Sequence, residues 1–188
     1  MLSLNHLLIL SITVCSLLGL HYKRWYYSNL LYPYGISNLK SCYTILTNGF
    51  IHAHYLHLLI NIALLYIFGE ELERLFILKA IHLIWLPIIF FAAGILASLA
   101  DTLINRNKEG FVSCGASHGV MGVIAAYIVL DHQPIAQMFE KLGLNNTIIV
   151  IVLVLFTLFK SIKKAGNINY SGHLVGLITG AAIALILK

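Results

Sequence analysis

The chain has 188 residues, 60% of them hydrophobic and only 10% charged, whereas soluble domains usually carry about 25% charged residues; a water-facing globular surface is excluded. The apolar residues come in long blocks rather than alternating runs, which makes lipid the expected solvent and suggests one all-α membrane domain over residues 1–188. The formal net charge of +5 reflects a shortage of acids, with basic residues scattered over several loops, so no nucleic-acid partner is expected.

Residues 2–20 form the first apolar segment. It lacks a basic n-region and a small-x-small cleavage site, and Tyr22-Lys23-Arg24-Trp25-Tyr26-Tyr27 follows directly. That pattern predicts a retained spanning helix ending in an interfacial aromatic belt. Residues 21–55 are mixed and rich in aromatics, including Trp25, Tyr32 and Tyr34, which places this loop in the headgroup region. A second helix is expected over 55–69, ending at Glu70-Glu71-Leu72-Glu73-Arg74, and a third over 78–100, before a hydrophilic loop at 101–110. The fourth, over 117–130, is too short for about 30 Å of hydrocarbon at about 1.5 Å per residue. Its start must lie below the membrane surface, or its neighbours must shield it. A loop at 131–146, a fifth helix over 147–159, a basic loop at 160–169 and a sixth helix over 170–187 complete six expected spans. Cys15, Cys42 and Cys114 show no CxxC spacing, so no zinc knuckle or redox pair is suggested.

Each crossing reverses the chain, so the loops after helices one, three and five share one side of the membrane. Three polar clusters follow those loops. His52, His54, His57 and Asn61 open the second helix, Ser117 and His118 the fourth, and His173 the sixth. Each residue alone has a bland reading: a membrane serine bonds its own backbone, and a lone histidine or asparagine joins two helices. Their coincidence at one depth and on one face makes them functional candidates. Gly172, Gly176 and Gly180 line one side of the sixth helix, and Gly115, Gly119 and Gly122 sit on or before the fourth. Glycine-to-glycine packing of these helices would bring Ser117 and His173 within hydrogen-bonding reach.

The chemistry suits that pairing. A serine hydroxyl becomes a nucleophile when a base takes its proton, and neutral histidine is the commonest such base near pH 7. His57 and Asn61, four residues apart, project from one helix face. They offer N–H donors for a developing oxyanion, alongside the backbone N–H of Ser117. No acid is expected near the base, so the arrangement reads as a dyad.

Four motifs carry a family resemblance. Gly115-Ala116-Ser117-His118 resembles the GxSx motif of the rhomboid intramembrane serine proteases. His173-Leu174-Val175-Gly176, with Gly180 after it, resembles their second catalytic motif. Phe50-Ile51-His52 with His57-Leu58-Leu59-Ile60-Asn61 resembles the segment that supplies their oxyanion donors, and Gly69-Glu70-Glu71-Leu72-Glu73-Arg74 the exit from their second helix. The resemblance covers a core of about residues 43–188, in order, and implies a six-helix bundle that cleaves the transmembrane segments of membrane-protein substrates without metal or organic cofactor. By carry-over Ser117 is the nucleophile, His173 the general base, His57 and Asn61 oxyanion-stabilising residues, and His52, Gly115 and Gly176 supporting residues. The sequence departs from the family pattern in three places. His118 stands where many relatives have a small residue, and Met121 where some have a tyrosine beneath the imidazole. Tyr43-Thr44 replaces a Trp-Arg pair that braces the first loop.

Orientation is contested within the sequence itself. The family's active face lies outside the cytoplasm, in the cell membrane. Lys23, Arg24, Lys40, Arg106, Lys108, Lys160, Lys163 and Lys164 lie on that face here, against Arg74, Lys79, Lys141 and Lys188 opposite, and the positive-inside rule would invert the chain. The expectation follows the family. Two other readings stand beside the protease. One is a weak metal site built from His52, His54, His57, His118 and His173, with no HExxH motif to support it. The other is an inactive relative that binds or escorts membrane clients, which would be expected to have lost the serine or the histidine.

Overall fold

The structure, a computed structural model, describes residues 3–36, 41–131 and 169–188. In chain order its helices are α1 (Leu4–His21), α2 (Lys23–Asn29), α3 (Thr44–Thr47), α4 (Tyr55–Leu78), α5 (Trp85–Asn105), α6 (Ser117–Leu130) and α7 (Tyr170–Leu187), with short 3-10 turns at Pro33–Gly35 and Asn48–Phe50. Among the described residues the only extended pairing is one antiparallel bridge between Leu31 and Ser113. Four of these helices, α1, α4, α5 and α7, are long and apolar enough to cross a membrane, and α6 is a shorter apolar helix. The chain is an integral membrane protein. The fifth helix expected over 147–159 lies outside the described residues, as do most of the loops on either side of it.

In α1 the buried residues are Asn5, Leu8, Ile12, Ser16 and Gly19, a stripe at three- and four-residue spacing. The rest of the helix turns Leu7, Leu10, Val14 and Leu17 outward, as a lipid-facing surface requires. The start of the stripe lies along α4. The Asn5 backbone N–H donates to Glu73 Oε1 at 2.9 Å, and its Nδ2 donates to the Leu65 carbonyl at 3.2 Å and to Glu70 Oε1 at 3.3 Å. Gly69 leaves room for that side chain, because a Cβ there would run into the Asn5 amide.

These contacts explain why α4 does not stop at Gly69, as the acidic run suggested, but continues to Leu78. Glu73 is buried against α1, and Glu71 pairs with Arg74 one turn on at 2.6 Å. Glu, Leu and Arg are also good helix formers. The helix ends where Ala80 turns left-handed with φ 55°. The Ile81 N–H then reaches back to the Phe76 carbonyl at 2.8 Å, the closure that a glycine usually provides.

The next helix starts at Trp85 rather than at 78. Pro87 lies in its first turn, where no intrahelical N–H is required. It ends at Asn105 rather than 100, because Asp101 and Asn105 face the protein interior and are buried. The polar segment after Ala100 was therefore not all loop. Asn105 Nδ2 donates to the Asp101 carbonyl at 3.1 Å, and Lys108 Nζ caps Asn105 Oδ1 at 2.6 Å.

α6 is the central helix. It packs against α4, α5 and α7, and eleven of its fourteen residues are buried. Its length, about 21 Å at about 1.5 Å per residue, is tolerable because protein surrounds it.

An L-residue in the left-handed region costs about 1–2 kcal/mol relative to glycine. Ala80→Gly is therefore expected to raise stability by about 1 kcal/mol, measured as a higher unfolding midpoint in mild detergent. An unchanged or lower midpoint would show that Ala80 carries no strain.

Candidate active site

The geometry begins with α6 and α7. A Cβ at Gly180 would strike the backbone of Gly122, one at Gly176 would strike the His118 carbonyl, and one at Gly172 would strike the His118 ring. At Gly176 and Gly180 the two helices therefore meet main chain to main chain. Gly119 serves a different neighbour, since a side chain there would meet the Phe90 ring and carbonyl of α5. This close approach sets Ser117 and His173, at matching helix ends, side by side. His173 Nε2 lies 2.9 Å from Ser117 Oγ. Both residues are half-buried.

The segment that delivers Ser117 is held by three separate parts of the chain. Ser113 exchanges both backbone hydrogen bonds with Leu31, at 3.0 and 3.1 Å. The Gly115 N–H donates to the Asn48 carbonyl at 2.9 Å, and Asn48 Nδ2 is in turn tied to Ser98 Oγ of α5 at 3.0 Å. The Ala116 N–H donates to His52 Nε2 at 3.2 Å. That bond fixes the tautomer of His52: Nε2 accepts, so the ring proton is on Nδ1 and is donated to Ser16 Oγ at 2.7 Å. The Ser16 hydroxyl then donates to the Phe50 carbonyl at 2.8 Å. Burial, reinforced by His57 and His54, pushes the His52 pKa down to about 3, so the ring stays neutral and keeps its acceptor. His52 is fully buried.

Gly115 adopts φ +116°, a conformation that favours glycine, and a Cβ there would collide with the His57 ring. His57 thus lies against the turn that precedes the serine. Its ring meets His52 edge-on at 4.8 Å between centroids, and its backbone N–H is capped by His54 Nδ1 at 3.0 Å. Asn61 is buried, and its Nδ2 donates to the His57 carbonyl one turn back at 2.8 Å. One amide hydrogen is therefore engaged within its own helix. At the start of α6 the first N–H groups have no intrahelical acceptors, and the positive end of the helix dipole faces the same place.

The His173 ring meets His118 edge-on at 5.6 Å and Tyr170 at 6.2 Å. Met121 packs on the apolar core, and His118 lies edge-on to the imidazole. Tyr43 braces the first loop in its own way, its hydroxyl donating to the Ser28 carbonyl at 2.6 Å. Cys114 forms no disulfide with Cys42; its sulfur lies 3.6 Å from the Tyr26 hydroxyl. Among the described residues no group of three or more His, Cys, Asp or Glu is placed to hold a metal ion.

Two residues escaped the sequence reading. Ser16 was one small polar residue in an apolar run, and its only signal was a place on the same helical stripe as Asn5. Asp101 was assigned to a loop, although it stands four residues before Asn105, which places both on one helix face.

Comparison with known proteins points in one direction. The model of the Rhomboid domain matches residues 39–188. Over 155 residues the chain is 26% identical to YdcA of Bacillus subtilis (strain 168), which bears the name of a candidate rhomboid protease; the similarity spans 82% of this chain and 71% of YdcA. Over 145 residues it is 32% identical to the rhomboid protease GluP of the same organism, spanning 75% of this chain but 25% of GluP.

Replacing His52 with leucine would bury the Ala116 N–H without an acceptor. His52→Leu is expected to lower stability by about 2–3 kcal/mol, read from the unfolding midpoint in detergent. A variant as stable as the parent would show that this bond does not hold the turn.

Proposed function

Because the chain belongs to the rhomboid family, we propose that it is an intramembrane serine endopeptidase, cutting transmembrane segments of other membrane proteins with Ser117 and His173. The observation that carries this reading is the 2.9 Å approach of His173 Nε2 to Ser117 Oγ. At that distance the imidazole accepts the hydroxyl proton as Oγ attacks the carbonyl carbon of the substrate. The negative charge that develops on the carbonyl oxygen falls beside the start of α6. There the backbone N–H of Ser117, the His57 ring and the second amide hydrogen of Asn61 are the donors we assign to it. His173 then passes its proton to the leaving amine, and the first product departs. Water attacks the acyl-serine with His173 again as base, which releases the second product and restores the hydroxyl. His52, Gly115 and Gly176 act by holding shape: His52 fixes the Ala116 backbone, Gly115 gives His57 its space, and Gly176 lets α7 close on α6.

The substrate helix must unwind locally, because its own hydrogen bonds otherwise shield each carbonyl. Such unwinding favours clients whose spanning segments contain weak helix formers. In this reading the bundle has six spans, resides in the cell membrane, and holds the Ser117 end on the non-cytoplasmic side. The lipid bilayer and the client helix are its partners, and the chemistry uses no cofactor.

In reconstituted vesicles, Ser117→Ala and His173→Ala are each expected to abolish cleavage of a helical membrane substrate while the protein stays folded. A labelled fluorophosphonate should attach to Ser117 in the parent and not in the Ser117→Ala variant. Full activity in either variant would remove the dyad, and a parent that neither cleaves nor labels would favour an escort of membrane clients. Incubation with a strong chelator is expected to leave the cleavage rate unchanged; loss of activity restored by zinc would favour the histidine metal site instead.

A further inference from the structure

Asp101 has no part in the steps above, yet it is completely buried near the chain that carries them. Its Oδ2 accepts a short hydrogen bond from Asn169 Nδ2. Asn169 is the cap of α7: its Oδ1 accepts from the Gly172 N–H at 3.1 Å and from the Ser171 hydroxyl at 2.8 Å. The His173 N–H donates to the Asn169 carbonyl at 3.2 Å. The same Nδ2 lies 3.4 Å from Ser113 Oγ and 3.5 Å from His118 Nε2, both close in sequence to Ser117. One amide therefore touches the approach to the nucleophile and the first turn of the helix that carries the base.

An asparagine amide has one accepting and one donating end, and it is free to turn either towards a neighbour. Only one orientation caps a helix, the one with the oxygen towards the unsatisfied N–H groups. Asn169 Oδ1 is turned to the Gly172 N–H and the Ser171 hydroxyl, which leaves its NH2 end for Asp101 Oδ2, and the acceptor there holds the amide in that orientation. We propose that Asp101 is a positioning residue. Through Asn169 it fixes the first turn of α7, and so holds the His173 imidazole against Ser117. The inference rests on Ser117 and His173 being the reacting pair. It assigns no proton transfer to Asp101, which touches neither.

Two variants of the full chain test it, with three readouts: kcat and KM on a helical substrate, the rate of fluorophosphonate attachment at Ser117, and the unfolding midpoint. Asp101→Leu removes the acceptor. It is expected to lower kcat and the labelling rate at least about tenfold, since small displacements of reacting groups carry penalties of that order, with KM unchanged. The exchanged pair Asp101→Asn with Asn169→Asp keeps the link between residues 101 and 169 and the cap: the new amide donates to the new carboxylate, whose other oxygen caps Gly172. Its kcat is expected to return to within about threefold of the parent, as coupled partners do when both are changed together. Parent-like labelling by folded Asp101→Leu would overturn the proposal, as would a folded exchanged pair with kcat as low as that variant. Should Asp101→Leu not fold, the exchanged pair alone decides. A parent chain that fails to label would sink the dyad itself and is distinguishable from either result.

Discussion

A buried non-helical segment of a membrane bundle must have its polar groups satisfied by protein, since lipid offers no partners. The turn from Ser113 to Ala116 is such a segment. Leu31, Asn48 and His52 supply acceptors to its N–H groups at 113, 115 and 116, and these three residues come from three different parts of the chain. Ser117 can be the first residue of a helix that starts inside the bundle because of them. A serine on an uninterrupted helix would lie a turn deeper among apolar side chains and would bond its own backbone, as Ser11 and Thr13 do on α1.

The glycines impose the complementary demand on the other partner. With main chain against main chain, the spacing of α6 and α7 is set by backbone atoms rather than by rotamers, and it has almost no freedom to relax. Hydrogen bonding at one end and steric closeness along the length thus converge on one distance. The first sets where the hydroxyl is, and the second sets where the imidazole is. Neither is sufficient alone.

Much of this was legible in the sequence, and for identifiable reasons. Counting crossings put His57, Ser117 and His173 at one end of the bundle, since every span inverts direction whatever its packing. The small residues at 172, 176 and 180 revealed the tight side of α7, because a stripe at that spacing has few other uses in lipid. The limits were equally physical. The acidic run 70–74 looked like the exit of a helix into water, but two of its carboxylates serve α1 instead. Asp101 looked like loop for the same reason: composition registers a polar residue and does not reveal whether its partner is water or an amide on another helix. The interest of His118 was visible as a departure from the family pattern, but its place against the His173 ring depends on the rotation of α6 and was not.

The hydrogen-bond chain from Ala116 runs through His52 to Ser16, in a helix that precedes the matched Rhomboid segment at 39–188. The boundary drawn by family likeness is therefore not the boundary of the cooperative unit. A fragment starting at residue 39 would retain every residue assigned to chemistry and still lack the hydroxyl to which the His52 proton is given. Its loss would loosen the approach to Ser117 from behind, so the first span belongs to the folded bundle as scaffold and is no mere tether to the bilayer.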